Sequence, residues 1–230
     1  MNSASSQTPS PDQCDLRRAR AELRNDMRGS ILNAAAAILR QDGPAAVTIR
    51  AVAIAVNAST KVIYTAFGGK NGLLDALYLH SFAGLERELD AQRQVDPAAA
   101  RLRAMCNVYR AYAKAEPAFY TVMLGDLGRD YEAPSASRQQ AAATFRIVRD
   151  TIAACIPRSR INEADVATRH LWAAMHGVVS LEQRKLLGNI DQCNLLFEQA
   201  VTAACSSYDI ASPPGELDDS FVNVPIRAPQ

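Results

Sequence analysis

Eight polar side chains between residues 48 and 70 have the chemistry needed to bind a polyanion. They are four hydroxyl groups, one phenol and three cations, and they occur at Thr48, Arg50, Ser59, Thr60, Lys61, Tyr64, Thr65 and Lys70. Side chains of these types donate hydrogen bonds to phosphate oxygens and to base edges in nucleic acids. The segment therefore contains candidate DNA contacts, although Lys61 could be an ordinary solvated lysine and Arg50 could pair with an acid.

Two short helices with a tight turn between them are predicted to position these side chains. The first runs from Thr48, its cap, to about Val56, and the second runs from Ser59 to about Phe67. Asn57-Ala58 forms the turn, because Asn tolerates the left-handed backbone conformation that such a turn requires.

The second short helix is predicted to have one apolar face and one polar face. Ile63 and Phe67 lie four residues apart, so both can face the core. The outward face then contains Thr60, Lys61, Tyr64 and Thr65. A helix that reads DNA must be exposed and braced by a second helix that crosses behind it. The pattern predicts a helix-turn-helix with residues 59–67 as the reading helix, although a generic helical bundle could share the capped turn.

Residues 28–78 resemble the DNA-binding domain of the TetR/AcrR family of transcription regulators. The matching marks are Ile31 to Ala35, Gly43, Thr48-x-Arg50, the apolar run Val52 to Val56, Ser59, Tyr64, Phe67, Lys70 and Leu73-Leu74. The resemblance implies that the operator contacts are Thr48, Thr60, Lys61, Tyr64 and Lys70. The sequence departs from the family at Asn57-Ala58, where Gly-Val usually precedes the Ser.

Outside this segment the pattern is also helical, and the predicted fold is all-α. Alanine, the best helix former, supplies much of the 48% hydrophobic content, and β-branched runs are scarce. We expect a disordered basic tail over residues 1–20 and a three-helix helix-turn-helix domain over residues 21–70. A helical-bundle domain for ligand binding and dimerisation is expected over residues 71–210, followed by a disordered tail over residues 211–230.

Two segments of the C-terminal half, residues 109–126 and 171–182, resemble the C-terminal domain of one TetR branch. That domain is named for its Trp and His-Gly, which here are Trp172 and His176-Gly177. An apolar pocket with a few polar groups is what a drug-sized effector needs. The candidate lining residues are Tyr109, Tyr112, Phe119, Met123, Phe145, Trp172 and His176. The alternative is that these residues only pack the core.

A homodimer is predicted, because a palindromic operator needs two reading helices and one chain carries one. The last two long helices, roughly residues 163–187 and 191–207, are the candidate interface. Its apolar candidates are Leu171, Met175, Val178, Leu186, Leu195, Leu196 and Val201. The alternative for these side chains is burial within one chain.

The charge of the chain is unevenly distributed along its length. The net charge is +1, but residues 1–70 contain nine basic and five acidic residues, and the remainder contains 16 basic and 19 acidic residues. A basic head on an acidic body is consistent with DNA binding, although a difference this small could also arise by chance. The basic residues include Arg17, Arg18, Arg20, Arg24 and Arg28, which could track a groove as a flexible arm or form a solvated helical extension.

The sequence also disfavours several classes of protein. Its five cysteines are far apart, and neither they nor the three histidines have the spacing of a metal site, so we expect no metal and no cofactor. No catalytic motif stands out, which argues against an enzyme and leaves no catalytic residue to name. There is no signal-peptide pattern and no apolar stretch approaching about 18 residues, so we expect a cytoplasmic chain without a membrane partner.

These features predict a sequence-specific transcriptional repressor that binds double-stranded operator DNA as a homodimer. A small, mostly apolar effector is expected to release it. An activator or architectural protein without an effector is the main alternative, and an enzyme is a third class. Loss of operator binding on addition of a ligand would separate the first class from the second.

Overall fold

The computed structural model describes residues 11–124 and 131–210, and within these ranges the chain is helical and contains no strand. The prediction of an all-α fold is therefore confirmed. The α-helices are α1 (Pro11–Asp42), α2 (Ile49–Ala55), α3 (Thr60–Phe67), α4 (Lys70–Asp90), α5 (Ala98–Ala115), α6 (Pro117–Met123), α7 (Ser135–Cys155), α8 (Ala164–Gln183) and α9 (Ile190–Ser206). None of these helices is long and apolar enough to cross a membrane.

The chain divides into two compact units, Met1–Leu77 and Tyr78–Gln230, and the division falls inside α4. In the first unit, α1, α2 and α3 pack against one another. Their buried side chains are Ile31, Ala35, Leu39, Val52, Ile63 and Phe67. Burying each of the larger ones contributes about 1.5–3 kcal/mol. This small core fixes the rotation of α3 about its own axis.

The first helix begins earlier than the sequence predicts. Residues 11–20 were expected to belong to a disordered tail, but they form the first turns of α1, so that expectation is wrong for this stretch. Proline is favoured at the first position of a helix, and the residues that follow Pro11 are rich in Ala, Leu, Arg and Glu, with no glycine before Gly29. Arg18 also donates a hydrogen bond of 3.0 Å to Glu22, one turn further along. The rest of the predicted N-terminal tail and all of the predicted C-terminal tail lie outside the described residues.

In the second unit, α5 packs against α7 and α8, and α8 packs against α9. The helices bury a large apolar core that includes Leu85, Leu102, Met105, Phe119, Ile152, Leu171, Val179 and Phe197. Between α5 and α8, Arg110 donates two hydrogen bonds of 2.8 Å to the carboxylate of Glu182. The same guanidinium lies 5.0 Å from the centre of the Phe197 ring on α9. One arginine thus contacts both helices of the α8–α9 pair.

The turn between α8 and α9 is specified by Gly188, Asn189 and Gln192. The side chain of Asn189 accepts a hydrogen bond of 2.9 Å from the Gln192 amide, and the Gln192 side chain accepts one of 2.9 Å from the Asn189 amide. This capping box satisfies two amides at the start of α9. Gly188 has a φ of 88°, and a Cβ placed there would lie 1.9 Å from the Gln192 side-chain oxygen. The turn therefore requires glycine at this position.

The apolar residues proposed for a dimer interface divide into two groups. Leu171, Met175 and Val201 are buried within the chain, so their assignment to an intermolecular surface is wrong. They occupy the faces along which α8 and α9 pack against the rest of the unit. Val178 is half-buried, whereas Leu186, Leu195 and Leu196 are exposed. Leu181 and Ile190, which were not predicted to lie at this interface, are also exposed.

Candidate functional site

The first candidate site is the outer face of α3. Ile63 is fully buried and Phe67 nearly so, and the side chains on the opposite face are exposed as predicted: Thr60, Lys61, Tyr64 and Thr65. The hydroxyl of Thr65 donates a hydrogen bond of 2.9 Å to the carbonyl of Lys61, so it remains available only as an acceptor. Lys61 and Tyr64 therefore supply the hydrogen-bond donors in the middle of this face.

The helix termini on either side of the turn place four more of the predicted contact residues. Thr48 caps α2, and its hydroxyl accepts a hydrogen bond of 3.1 Å from the Ala51 amide. Ser59 is the cap residue of α3, but its side chain makes no capping hydrogen bond. Arg50 on α2 and Lys70 at the start of α4 are exposed, and neither has an ion-pair partner among the described residues. All four side chains are accessible to solvent.

The tight turn between α2 and α3 adopts the conformation predicted from its sequence. Asn57 has a φ of 51°, in the left-handed region where Asn is tolerated better than most residues. The next amide, that of Ala58, donates a hydrogen bond of 2.9 Å to the carbonyl of Ala53. Asn57 thus takes the role that glycine usually has in this turn, and the departure at Asn57-Ala58 leaves the turn intact.

The second candidate site is a small cavity of about 10 Å³ inside the second unit. Its lining comes from α4, α5, α7 and α8 and consists of Leu89, Met105, Cys106, Tyr109, Phe145, Val148, Thr168, Trp172 and Met175. A space of this size is close to the volume needed for one water molecule. Drug-sized ligands occupy pockets of about 300–1,000 Å³. A ligand of that size could enter only if the surrounding helices moved apart.

The predicted pocket residues are not all found at this cavity. Tyr109, Phe145 and Trp172 line it, whereas Tyr112 and Met123 are buried elsewhere in the unit. The Tyr112 hydroxyl donates a hydrogen bond of 2.8 Å to the carbonyl of Ser81. It packs so closely on α4 that a Cβ at Gly84 would lie 2.6 Å from it. These contacts place Tyr112 in the joint between α4 and α5.

A chain of four hydrogen-bonded side chains begins at the cavity wall. The Trp172 indole nitrogen donates to the Tyr109 hydroxyl at 3.2 Å, and that hydroxyl lies 2.9 Å from the Tyr120 hydroxyl. The Tyr120 hydroxyl lies 2.7 Å from Nδ1 of His176. The chain joins α5, α6 and α8, and it connects His176 to the cavity although His176 does not line it.

The surroundings of these groups determine their protonation. Burial raises the pKa of the Tyr109 and Tyr120 phenols above the usual value, so both keep their protons at neutral pH. Burial, together with the positive charge of Arg184, lowers the pKa of His176. The imidazole is therefore neutral at pH 7 and can accept a hydrogen bond on one nitrogen while it donates one from the other.

Tyr120 is the residue at this site that sequence reasoning missed. It lies in the segment that drew attention to the C-terminal half, but the adjacent Phe119 was selected instead. Only the packing of α6 against α5 shows that the Tyr120 hydroxyl reaches both Tyr109 and His176.

One further polar group is noteworthy, because the buried Thr144 hydroxyl on α7 has no hydrogen-bond partner among the described residues.

Neither candidate site contains the elements of a metal centre. Among the described residues, no group of three or more His, Cys, Asp or Glu side chains could hold a metal ion. Of the cysteines, Cys106, Cys193 and Cys205 are buried and Cys155 is half-buried, and all four are free thiols. Burial raises the pKa of Cys155 and Cys205, so these thiols are protonated at neutral pH.

Two segments of the chain match models of known protein families. Residues 31–77 match the family model of bacterial regulatory proteins of the tetR family, and residues 102–204 match the model of the tetracyclin repressor-like C-terminal domain. None of the curated proteins matches the sequence.

Several solved structures are similar in fold. The regulatory protein SCO4313 is 23% identical, with a TM-score of 0.67 over 81% of this chain and 98% of its own. The TetR regulator SCO7222 from Streptomyces coelicolor is 18% identical, with a TM-score of 0.58 over 78% of this chain and 95% of its own. SmeT, solved in complex with triclosan, is 18% identical, with a TM-score of 0.53 over 88% of this chain and 98% of its own. At these identities the likeness concerns the fold.

Proposed function

The chain is a TetR-family transcription regulator, and we propose that it is a repressor that binds a palindromic operator as a homodimer and leaves it when a small, mostly apolar effector binds. The observation that carries the DNA-binding part is the two-faced packing of α3. The buried Ile63 and Phe67 hold the helix, so that Lys61 and Tyr64 project into solvent.

The proposed contacts divide into two kinds according to their position. Lys61, Tyr64 and Thr65 lie on the exposed face of α3, where side chains can reach base edges in the major groove. Thr48, Arg50, Ser59, Thr60 and Lys70 lie at or near helix ends, where hydroxyls, cations and free amides favour phosphate oxygens. The first group would set sequence preference, and the second would set affinity and its dependence on salt.

The homodimer would form through the exposed apolar residues of the α8–α9 pair. Leu181, Leu186, Ile190, Leu195 and Leu196 are each between 39% and 66% exposed. Exposed apolar side chains on two packed helices and on the turn between them are typical of a four-helix interface across a two-fold axis. Such a dimer would supply the second reading helix, about 34–36 Å from the first.

The effector would enter the second unit at the cavity lined by Tyr109, Phe145 and Trp172. The lining is apolar apart from isolated hydrogen-bonding groups, which suits an apolar molecule with one or two polar atoms. The solved complex of SmeT, a protein of similar fold, with triclosan supports the proposal that a small molecule binds here. We also propose that the second unit belongs to the TetR branch named for its Trp and His-Gly, because Trp172 and His176-Gly177 resemble that motif.

The α4 helix offers a route by which the effector could act. It contributes residues to both units, since the division between them falls at Leu77. Within the second unit, the α4 residue Leu89 lines the cavity. A bound molecule that displaces this end of α4 would also move its N-terminal end. If the bound effector stabilises the displaced state by about 1.4 kcal/mol relative to the operator-binding state, operator affinity would fall tenfold.

Selection of DNA sites from a random library by the full-length protein tests the proposal. We expect enrichment of an inverted repeat, with an affinity that falls as salt rises because phosphate contacts release counterions. Lys70→Ala should weaken binding to every sequence and reduce the slope of log K against log salt by about 1.8, because each of the two protomers loses one phosphate contact and each contact contributes about 0.9. Arg146→Ala, which removes an exposed charge from α7, is the matched control. Failure to enrich any sequence would contradict the proposal.

A further inference from the structure

The four-residue chain that leads from the cavity to His176 has a direction, which follows from the donors and acceptors that its members possess. An indole nitrogen can only donate a hydrogen bond, so the Trp172 N–H donates to the hydroxyl oxygen of Tyr109. The Tyr109 hydroxyl is buried, and the Tyr120 oxygen is the remaining partner within reach of its proton. The Tyr109 proton therefore points to Tyr120.

The same reasoning fixes the next two protons. Tyr120 has accepted from Tyr109, so its own proton goes to Nδ1 of His176 at 2.7 Å. An Nδ1 that accepts a hydrogen bond carries no proton, and a neutral imidazole then carries its proton on Nε2. In the opposite direction Tyr120 would donate to Tyr109, and the buried Tyr109 proton would have no acceptor. A buried donor without an acceptor is costly, so the first direction is favoured.

The Nε2–H group at the end of this chain has no hydrogen-bond partner among the residues that the structure describes. His176 is half-buried, one helical turn after Trp172 on α8, and the centres of the two rings are 6.5 Å apart. Trp172 lines the cavity and its ring neighbours that of His176, so an effector that widens the cavity past Trp172 would reach this donor.

We propose that the effector site presents the Nε2–H of His176 as its hydrogen-bond donor, so that the effector is an uncharged molecule with an apolar body and a carbonyl or ether oxygen that accepts this bond. This inference deepens the proposed function and rests on it. The apolar lining disfavours a charged ligand, because a charge loses its hydration on entry without gaining a counter-ion. A cation is further disfavoured by the donor itself and by Arg184 nearby.

The tautomer can be measured without any ligand. In a long-range ¹H–¹⁵N NMR spectrum of the full-length protein with labelled histidines, His176 should show an Nε2–H tautomer at pH 7. The exposed His170, which packs edge-on against Tyr208 but makes no side-chain hydrogen bond among the described residues, provides an internal reference. Tyr120→Phe removes the donor to Nδ1 and should therefore shift the Nδ1 resonance of His176, while the resonances of His170 stay unchanged. An Nδ1–H tautomer, or a charged imidazole at pH 7, would overturn the proposal.

The class of ligand is tested with two probes of nearly equal size, acetophenone and ethylbenzene, which differ in a carbonyl oxygen. Acetophenone should bind about fivefold more tightly, as expected for one net hydrogen bond, and should shift the Nε2 resonance of His176. His176→Phe should remove this advantage while ethylbenzene still binds, and His176→Gln, which retains a donor, should keep part of it. Equal affinities, or the absence of any shift at His176, would overturn the assignment.

The operator assay separates this inference from the proposed function. If the protein binds no operator but prefers acetophenone through His176, the proposed repressor function is contradicted. The assignment of His176 as the donor then still stands. A protein that binds an operator but holds the two probes equally would contradict the inference alone.

Discussion

The guanidinium carbon of Arg28 on α1 lies 4.1 Å from the centre of the Phe67 ring at the end of α3, and the same side chain donates a hydrogen bond to the carbonyl of Ala66. Arg28 thus interacts with the last turn of the helix that we propose reads DNA. An arginine that looked like part of a basic arm has a structural role within the first unit. The described stretch of α1 before it is a helical extension.

We expect Arg28→Ala to loosen α3. Loss of the cation–π contact and of the bond to Ala66 should lower the free energy of local unfolding by about 1 kcal/mol. Hydrogen exchange of the α3 amides measures this directly. Arg24→Ala, which removes an exposed charge one turn earlier on α1, is the matched control and should leave exchange unchanged. If the two variants exchange alike, Arg28 does not support α3.

The turn at Asn57 offers a second test. Because its φ is 51°, Asn57→Gly should be neutral or stabilising, whereas Asn57→Val should be destabilising by about 1–2 kcal/mol, since a β-branched residue resists this conformation. Thermal unfolding followed by circular dichroism compares the two variants. Equal midpoints for Gly and Val would show that the turn is not left-handed in solution.

Assembly is tested by a charge placed on the exposed apolar surface of α9. Leu195→Glu should convert a dimer of twice the 24.9 kDa chain mass into a monomer, because the carboxylate would be buried without a partner. Ile161→Glu, in the turn before α8, is the control and should remain dimeric, since Ile161 is also exposed, at 43% against 56% for Leu195. Light scattering at micromolar concentration gives the mass. A wild-type mass of one chain would contradict the proposed dimer.

The lowered pKa of His176 gives stability a pH dependence of known sign. The unfolded chain takes up a proton at this residue near pH 6.5, whereas the folded protein resists doing so until the pH is lower. The free energy of unfolding should therefore fall as pH falls through about 6.5. Denaturant unfolding at pH 5 to 8 should show a smaller decrease in His176→Gln than in wild type. An equal decrease in both proteins would mean that His176 is not held neutral.

Local features of the fold were predictable from the sequence, and features that depend on packing were not. The exposed face of α3 and the turn at Asn57 follow from periodicity and backbone preference within a few residues. Which faces of α8 and α9 are buried could not be predicted in this way, because apolar residues occur on several sides of both helices. Only the packing shows that Leu171 is buried and Leu195 is exposed. The Tyr120 contacts were missed for the same reason, since they join helices that are distant in sequence.

The most direct test of DNA recognition by α3 is the affinity of the double variant Lys61→Ala/Tyr64→Phe for the site selected by the wild-type protein. Fluorescence anisotropy at fixed salt gives the dissociation constant, and circular dichroism verifies the fold. Loss of a cation and a hydroxyl from the reading face should weaken binding at least about tenfold, since one such contact is worth about 1–3 kcal/mol. The Arg146→Ala control should bind as wild type does. A double variant that keeps its fold and binds within about twofold of wild type, a difference below 1 kcal/mol, would contradict the account.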